Sequence, residues 1–550
     1  MSFGLQEFTF LRLFLCADPH MEICRRRGMR ATRRVGENHP YSIAHAKAKE
    51  DKEMAQIKVS NLTFAYEGSY DNVFENVSFV IDTDWRLGFT GRNGRGKTTF
   101  LKLLLGQFPY QGKITHSSCF DYFPFHTGDK TRNGIDIVDE IYPDYDYWKI
   151  SRELSILKVD DSVLFRPFET LSNGEQTKVM LSVLFSRDNY FLLIDEPTNH
   201  LDEEARELVA NYLKSKKGFI LVSHDRAFLD TCTDHILSIN KNNIEIEQGN
   251  FSSWMENKSR RDAFEVSEND RLKKEIHKLQ ETAAEKAKWA DKVEKTKYHT
   301  RIAGLRVDRG YIGHKSAKMM AKAKAGEARA EKKIAEKSKL LKNIERADDL
   351  KISPLEYHSN VYAQLKNVSL FYDNRKICGN VAFDIKRGDR VALKGCNGCG
   401  KSSVIKLLLG EKIAYEGEYK VGSGLVISYV SQDTSFLGGN LKDFAVKEGV
   451  EESLFKAVLR KLDFSREMFD KDMREYSEGQ KKKVLLAKSL CEKAHLYIWD
   501  EPLNYIDIFS RMQLENLILK WQPTLLFVEH DKTFCEKTAT KVVQVLKENF

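Results

Sequence analysis

Apolar and polar residues alternate in two distant stretches, AQIKVSNLTFAY at 55–66 and NVYAQLKNVSLFY at 360–372, and each alternation predicts a strand with one buried face. Downstream of each, an apolar run enters a glycine-rich turn and a helical pattern. A second apolar run then ends on an Asp-Glu pair. This is the layout of an α/β layered core, met twice. Between the two, Leu272, Ile276, Leu279, Ala283, Ala290 and Val293 follow a 3–4 spacing. So do Met320, Ala323, Ala330, Ile334, Leu341 and Ile344. Each set predicts a helix with an a/d-like seam, and the pair predicts an antiparallel hairpin with its tip in KYHTRIAGLRVDRGYIGHKS at 297–316.

The duplication is explicit in the motifs. GRNGRGKT at 91–98 recurs as GCNGCGKS at 395–402, and LSNGEQ at 171–176 as YSEGQ at 476–480. LLIDEPTNHLD at 192–202 recurs as YIWDEPLNYID at 497–507, and LVSHD at 221–225 as FVEHD at 527–531. All four keep their order at offsets of 304–306. The expected organisation is an extension (1–53), a first unit (54–252), a linker (253–354) and a second unit (355–550). The extension is Arg-rich and without period, and reads as a disordered tail or an upstream start.

Charge sharpens the picture of the linker. The 550 residues carry a net +8, but 258–346 holds 26 Lys and Arg against 14 Asp and Glu, leaving 62 against 66 elsewhere. A basic block confined to one segment favours an anionic partner such as nucleic acid. No apolar run reaches the ~18–20 residues of a membrane helix. Nine cysteines without a disulfide-like spacing fit a reducing cytoplasm.

G-x-x-x-x-G-K-[ST] is a phosphate cradle, in which backbone N–H groups converge at a helix N-terminus. It assigns ATP binding to Gly91, Asn93, Gly94, Gly96, Lys97, Thr98 and Thr99, and again to Gly395, Asn397, Gly398, Gly400, Lys401, Ser402 and Ser403. The lysines reach the β/γ-phosphates, and the hydroxyls of Thr98 and Ser402 ligate Mg²⁺. Asp195 and Asp500, at strand ends, help hold the ion. Glu196 and Glu501 act as general bases on the attacking water. His224 and His530 follow apolar strands and are placed to contact the γ-phosphate. CNGC inside the second cradle (Cys396, Cys399) lies in a loop committed to phosphate and does not read as a metal site.

With LSNGEQ and YSEGQ, the motif set resembles an ABC ATPase. The resemblance implies two P-loop domains meeting head to tail, each nucleotide lying between one cradle and the other unit's signature. Ser477 and Gly479 then complete site one, and Ser172 and Gly174 site two. Tyr66 and Tyr372 correspond to the aromatic residues that stack on adenine. Gln432, in SYVSQD, corresponds to the glutamine that contacts Mg²⁺ and water, whereas DYFPFH places Phe125 there in the first unit. The resemblance therefore implies unequal sites.

Two units in one chain, a linker of about 100 residues and no membrane segment resemble the ABC-F family. The compact plan is similar to its Lsa-type antibiotic-resistance subgroup. That resemblance implies a cytoplasmic monomer whose partners are ribosomal RNA and peptidyl-site tRNA, with no membrane or transmembrane partner. It implies binding in the ribosomal exit site and protection against lincosamides, pleuromutilins and streptogramin A. At the tip, Lys297, Arg301, Arg306, Arg309 and Lys315 are expected to face phosphates, and Tyr298, Leu305 and Tyr311 to reach toward the drug-binding centre. A housekeeping ABC-F translation factor and the ATPase of a separate transporter remain open alternatives.

Overall fold

A computed structural model describes residues 56–68, 72–125, 127–188, 190–199, 201–240, 244–299, 309–339, 349–372 and 375–546. The extension 1–53 lies outside them. Each unit is built on a sheet whose central strands are largely apolar because both faces are covered. In the first unit the strand order is Cys119–Phe123, Tyr190–Asp195, Phe219–Val222, Arg86–Gly91, His235–Ile239, Ile244–Gln248. All neighbours pair in parallel except the last two, which are antiparallel. The second unit repeats the order with Ile427–Val430, Leu496–Asp500, Leu525–Val528, Arg390–Lys394 and Lys541–Gln544, all parallel.

The alternating segments seen in the sequence form small antiparallel sheets. Gln56–Phe64 is flanked by Phe74–Asp82 and Gln111–Thr115, and Val361–Tyr372 by Arg375–Lys386 and Ala414–Val421. Ile57, Val59 and Leu62 face inward onto the helix Lys97–Leu104, whose Phe100 and Leu101 are fully buried. This layer holds the glycine-rich loop from one side while the parallel sheet holds it from the other.

The linker is two helices, Phe251–His299 and Arg309–Lys339. They run antiparallel, with Lys337 ion-paired to Glu275. Leu272, Ile276 and Leu279 are half-buried against the second helix. On that helix the half-buried positions include Met319, Gly326, Ala330 and Ile334, while Met320 is 41% exposed. The seam thus passes through Met319, one residue from the expected position, because a one-residue step turns a helix by about 100°.

The tip is also shorter than 297–316. Helical backbone reaches His299 and resumes at Arg309, so Lys297 and Tyr298 belong to one helix and Arg309, Tyr311 and Lys315 to the other. Proline is absent there, and isolated glycines weaken a helix by only ~1 kcal/mol each. Arg301, Leu305 and Arg306 lie outside the described residues, as do the side chains of the other five.

Both roots of the hairpin are set in the ATPase cores. Phe251 and Trp254 are buried in the first unit's core, where they meet Ile508 from the second. Leu350 and Ile352, on the return, are buried in the second unit's core.

Candidate functional site

The cradle's geometry follows from its glycines. Gly96 and Gly400 cap their helices in the left-handed region, at φ +90° and +98°. A Cβ on Gly96 would lie 2.5 Å from Val73 Cγ1, so only glycine lets the loop turn here. The helices Lys97–Leu104 and Lys401–Leu408 therefore begin with unpaired N–H groups facing the loop. Lys97 Nζ donates to the carbonyl oxygens of Gly91 (2.8 Å) and Arg92 (3.2 Å) and to Asn93 Oδ1 (3.3 Å). Lys401 Nζ does the same with Gly395 and Cys396, at 2.9 Å each. Burial lowers the pKa of Lys97, partly opposed by Asp507, Glu196 and Asp195.

The acidic pairs sit at strand ends beside the cradles. Thr98 Oγ1 donates to Asp195 Oδ2 (2.8 Å), which also accepts from the Tyr122 hydroxyl (3.1 Å). Ser402 hydrogen-bonds Asp500 in the second unit. Burial raises Asp195 and pushes Asp500 up to about 6. Glu196 and Glu501 adopt φ +52° and +47°, a left-handed turn uncommon for non-glycine residues. Their backbone N–H groups are fixed on the carbonyls of Val222 (2.9 Å) and Val528 (3.1 Å). This turn sends each carboxylate out of the sheet toward the histidine: His224 Nε2 is 3.4 Å from Glu196 Oε1, and His530 Nε2 is 3.8 Å from Glu501 Oε1.

Burial, reinforced by the Asp195 charge, pushes Glu196 up to about 8. Burial, then nearby cations, takes His530 down to about 3 and His224 well below its ordinary value. Both imidazoles are thus neutral hydrogen-bonding groups. Glu196 Oε1, Asp500 Oδ1 and His530 Nε2 are buried without a hydrogen-bond partner. Such groups are costly unless a bound species completes them.

Two cavities between the units gather these residues. The first, about 560 Å³, is lined by Tyr66, Asn93, Gly94, Gly96, Lys97, Thr98, Thr99, Asp195, Glu196 and His224, and from the other unit by Ser477 and Gly479. The second, about 1160 Å³, brings Tyr372, Asn397, Gly398, Gly400, Lys401, Ser402, Ser403, Gln432, Glu501 and His530 opposite Ser172 and Gly174. Gly91 and Gly395 sit beneath the loops, their carbonyls holding the lysines. Ser172 and Ser477 are N-caps of the helices Asn173–Ser186 and Glu478–Cys491, each closed by a capping box with Glu175 or Gln480. Each cavity is therefore faced by two helix N-termini, one from each unit, an arrangement suited to a polyanion.

The cavities differ in their finer contacts. Glu501 Oε2 accepts from Gln432 Nε2 (2.9 Å) and Asn504 Nδ2 (2.6 Å). Phe125, the counterpart of Gln432, packs against two apolar clusters and does not line site one. Across the units, Asn93 Nδ2 donates to the Tyr505 carbonyl (2.9 Å), and Arg92 lies 3.7 Å from Asp463. At site two Cys396 and Lys158 match Arg92 and Asp463, and the tie is Lys394 Nζ to Glu203 Oε2 (2.8 Å).

Sequence reading assigned no role to Asp507, Lys483 or Tyr505. Asp507 is fully buried, caps the helix Ile508–Trp521 and pairs with Lys483 (3.2 Å); burial would raise its carboxyl, but cationic Lys483 and the Ser510 N–H hold it well below the usual carboxylate range. The duplicated N-H-L-D and N-Y-I-D already marked this aspartate, but its use lies across the interface, which no local pattern displays. Next to it, Phe509 joins three parts of the molecule. Its ring lies 6.5 Å from that of Trp254 and under the cations of Arg92 (5.8 Å) and Lys258 (5.5 Å).

Comparison with known proteins agrees with this architecture. The ABC transporter family model matches residues 74–199 and 378–504, one segment per unit. The chain is 28% identical over 482 residues to the ribosome protection protein VmlR of Bacillus subtilis (strain 168), covering 86% of this chain and 84% of that protein. It is 24% identical over 546 residues to ABC transporter F family member 2 of Arabidopsis thaliana, covering 89% and 76%. The archaeal ribosome recycling factor aABCE1, solved with the stalk protein aP1, shares the fold at TM-score 0.57 and 18% identity, over 88% of this chain and 89% of that one. Among the described residues no helix is long and apolar enough to cross a membrane. The chain thus has two tandem segments matched by the ABC transporter family model, a helical hairpin between them, and likeness over most of its length to ABC-F relatives.

Proposed function

We propose that this chain hydrolyses ATP at the two cavities between its units and uses their closure to steer the basic hairpin on the ribosome, protecting the peptidyl-transferase centre from antibiotics. The observation that carries this reading is the joining of two composite nucleotide cavities to one hairpin with a root in each core. Likeness over 86% of the chain to a ribosome protection protein adds the direction.

Lys97 and Lys401 release their loop carbonyls and turn to the β/γ-phosphates. Ser172, Gly174, Ser477 and Gly479 bring the opposite helix N-terminus to the γ-phosphate, so nucleotide joins the units. Thr98 with Asp195, and Ser402 with Asp500 and Gln432, would hold Mg²⁺, which when bound neutralises phosphate charge. Each set pairs a hydroxyl with a carboxylate and needs the nucleotide's own oxygens, and no cluster of three His, Cys, Asp or Glu side chains is found among the described residues. Glu196 and Glu501 accept the proton of the attacking water, while His224 and His530, neutral, hydrogen-bond the γ-phosphate. Tyr66 and Tyr372, 44% and 41% exposed at the cavity rims, offer their faces to adenine.

The linker's excess of cations supports RNA as the surface the hairpin meets, through salt-dependent phosphate contacts. Lincosamides, pleuromutilins and streptogramin A are the proposed drugs and the exit site the proposed place of binding, in the cytoplasm. The test is co-sedimentation with ribosomes after ATP trapping in the Glu196→Gln, Glu501→Gln protein, together with tolerance to lincomycin and tiamulin in a susceptible host. No ribosome binding overturns the proposal. Binding with unchanged tolerance returns the translation-factor reading. Leu305→Ala and Tyr311→Ala are expected to lower tolerance while ATPase activity persists.

A further inference from the structure

The second cradle carries two thiols where the first carries arginines: Cys396 and Cys399 against Arg92 and Arg95. Cys396 is exposed, whereas Cys399 is completely buried beneath the loop. The Cys399 N–H donates to the Cys396 carbonyl at 3.3 Å, closing a four-residue turn. Such a turn brings its end Cα atoms within ~7 Å, close to the spacing a disulfide spans. Burial raises the Cys399 thiol, Lys401 opposes this, and the neighbouring Cys396 raises it further.

We propose that Cys396 and Cys399 form a reversible redox switch that closes nucleotide site two when hydrogen peroxide oxidises them to a disulfide. The proposal rests on the reading of this loop as a phosphate cradle. The exposed Cys396, as its thiolate, attacks the peroxide O–O bond to give a sulfenic acid and hydroxide. The Cys399 sulfur then displaces that oxygen, and the S–S bond forms. Two electrons pass from the thiols to one peroxide, and the oxygens leave as two waters.

The contraction that brings the two sulfurs to ~2.05 Å is what closes the bond. The contraction drags the loop carrying the phosphate-binding N–H groups and the Cys396 carbonyl that parks Lys401, 2.9 Å away. Phosphate hydrogen bonds tolerate only a few tenths of an ångström. Site one has no thiol in its cradle, so the switch acts on one site of two.

The test uses the full chain with Glu196→Gln and Glu501→Gln, without ribosomes, treated with hydrogen peroxide. The peptide containing both cysteines should lose ~2 Da. Bound ATP should fall from about two to about one per chain, and dithiothreitol should restore both. Cys396→Ser should show neither change. The proposal is overturned if the peptide maps a bond to Cys378, whose sulfur also lies under Gly400. It is equally overturned if Cys396 gains oxygen without a bond, or if the disulfide forms and two ATP still bind. Loss of ATP from both sites before oxidation would instead overturn the cradle reading itself.

Discussion

The two nucleotide sites descend from one motif set and differ in how each is finished. At site two the carboxylate of Glu501 is held by Gln432 and Asn504 beside a cavity of about 1160 Å³. At site one the glutamine is Phe125, withdrawn into apolar packing, and a Glu196 oxygen is buried without a partner. Both sites are tied across the units, site one by Asn93 to Tyr505 and Arg92 to Asp463 around a cavity of about 560 Å³, and site two by Lys394 to Glu203. The difference lies in the acid: Glu501 is held by two side-chain amides that Glu196 does not meet. A duplicated fold can therefore divide labour by a handful of side chains while its backbone stays the same.

Removing both general bases should have the largest effect. Glu196→Gln with Glu501→Gln should lower ATP turnover ~10²–10³-fold. Of the single variants, Glu501→Gln should cost more, and equal losses in steady-state phosphate release would remove the functional inequality. Next, Gln432→Ala should reduce turnover ~10-fold by freeing the Glu501 carboxylate, with little change in melting temperature. Its counterpart Phe125→Ala should behave oppositely, losing about 2 kcal/mol of stability in denaturant titration with a smaller effect on turnover.

A smaller effect is expected where site one meets the hairpin. Phe509→Ala should weaken nucleotide-dependent ribosome binding ~5-fold while ATPase without ribosomes stays within ~2-fold. An equal loss of both would make Phe509 a packing residue only.

The smallest effect is thermodynamic. Glu196 is raised from 4.5 to about 8 in the fold, so the folded chain keeps a proton that the unfolded chain releases between these values. Its contribution is therefore fully present below pH ~4.5 and lost as pH rises through about 8. Glu196→Gln does not titrate. Its melting temperature, measured without nucleotide, should match the parent's at low pH and exceed it by a few degrees above pH 8. A constant difference would break the assignment.

Much of this was legible in the sequence because the chemistry is local. Gly96, Lys97 and Thr98 are neighbours in a turn that only such a pattern makes, and an apolar strand ending in Asp-Glu declares where the carboxylates emerge. The hairpin's existence was legible from its 3–4 spacing. Its seam was misplaced by one residue at Met319 and Met320, since two adjacent methionines carry equal hydrophobicity and only packing chooses between them. The extent of the tip was overestimated because glycines and aromatics resemble a loop in composition while remaining tolerable in a helix. Asp507, Lys483 and Phe509 escaped for a different reason. Phe509 meets Arg92, Trp254 and Lys258 from hundreds of residues away, and Asp507 and Lys483 are charges that pair inside the core, whereas periodicity reports a face to be buried, not what buries it.

The ring of Phe509 has a mechanical consequence. It bears at once on Arg92 of the first cradle and on Trp254, one turn into a helix of 49 residues. At 1.5 Å per residue that helix is ~74 Å long, so a tilt of ~3° at its root sweeps the far end by ~4 Å. Under the proposed coupling, a shift at the cradle smaller than a bond length is enough. Gearing of this kind makes the stiffness of the first helical turn, and not the size of the domain movement, the quantity that sets the stroke.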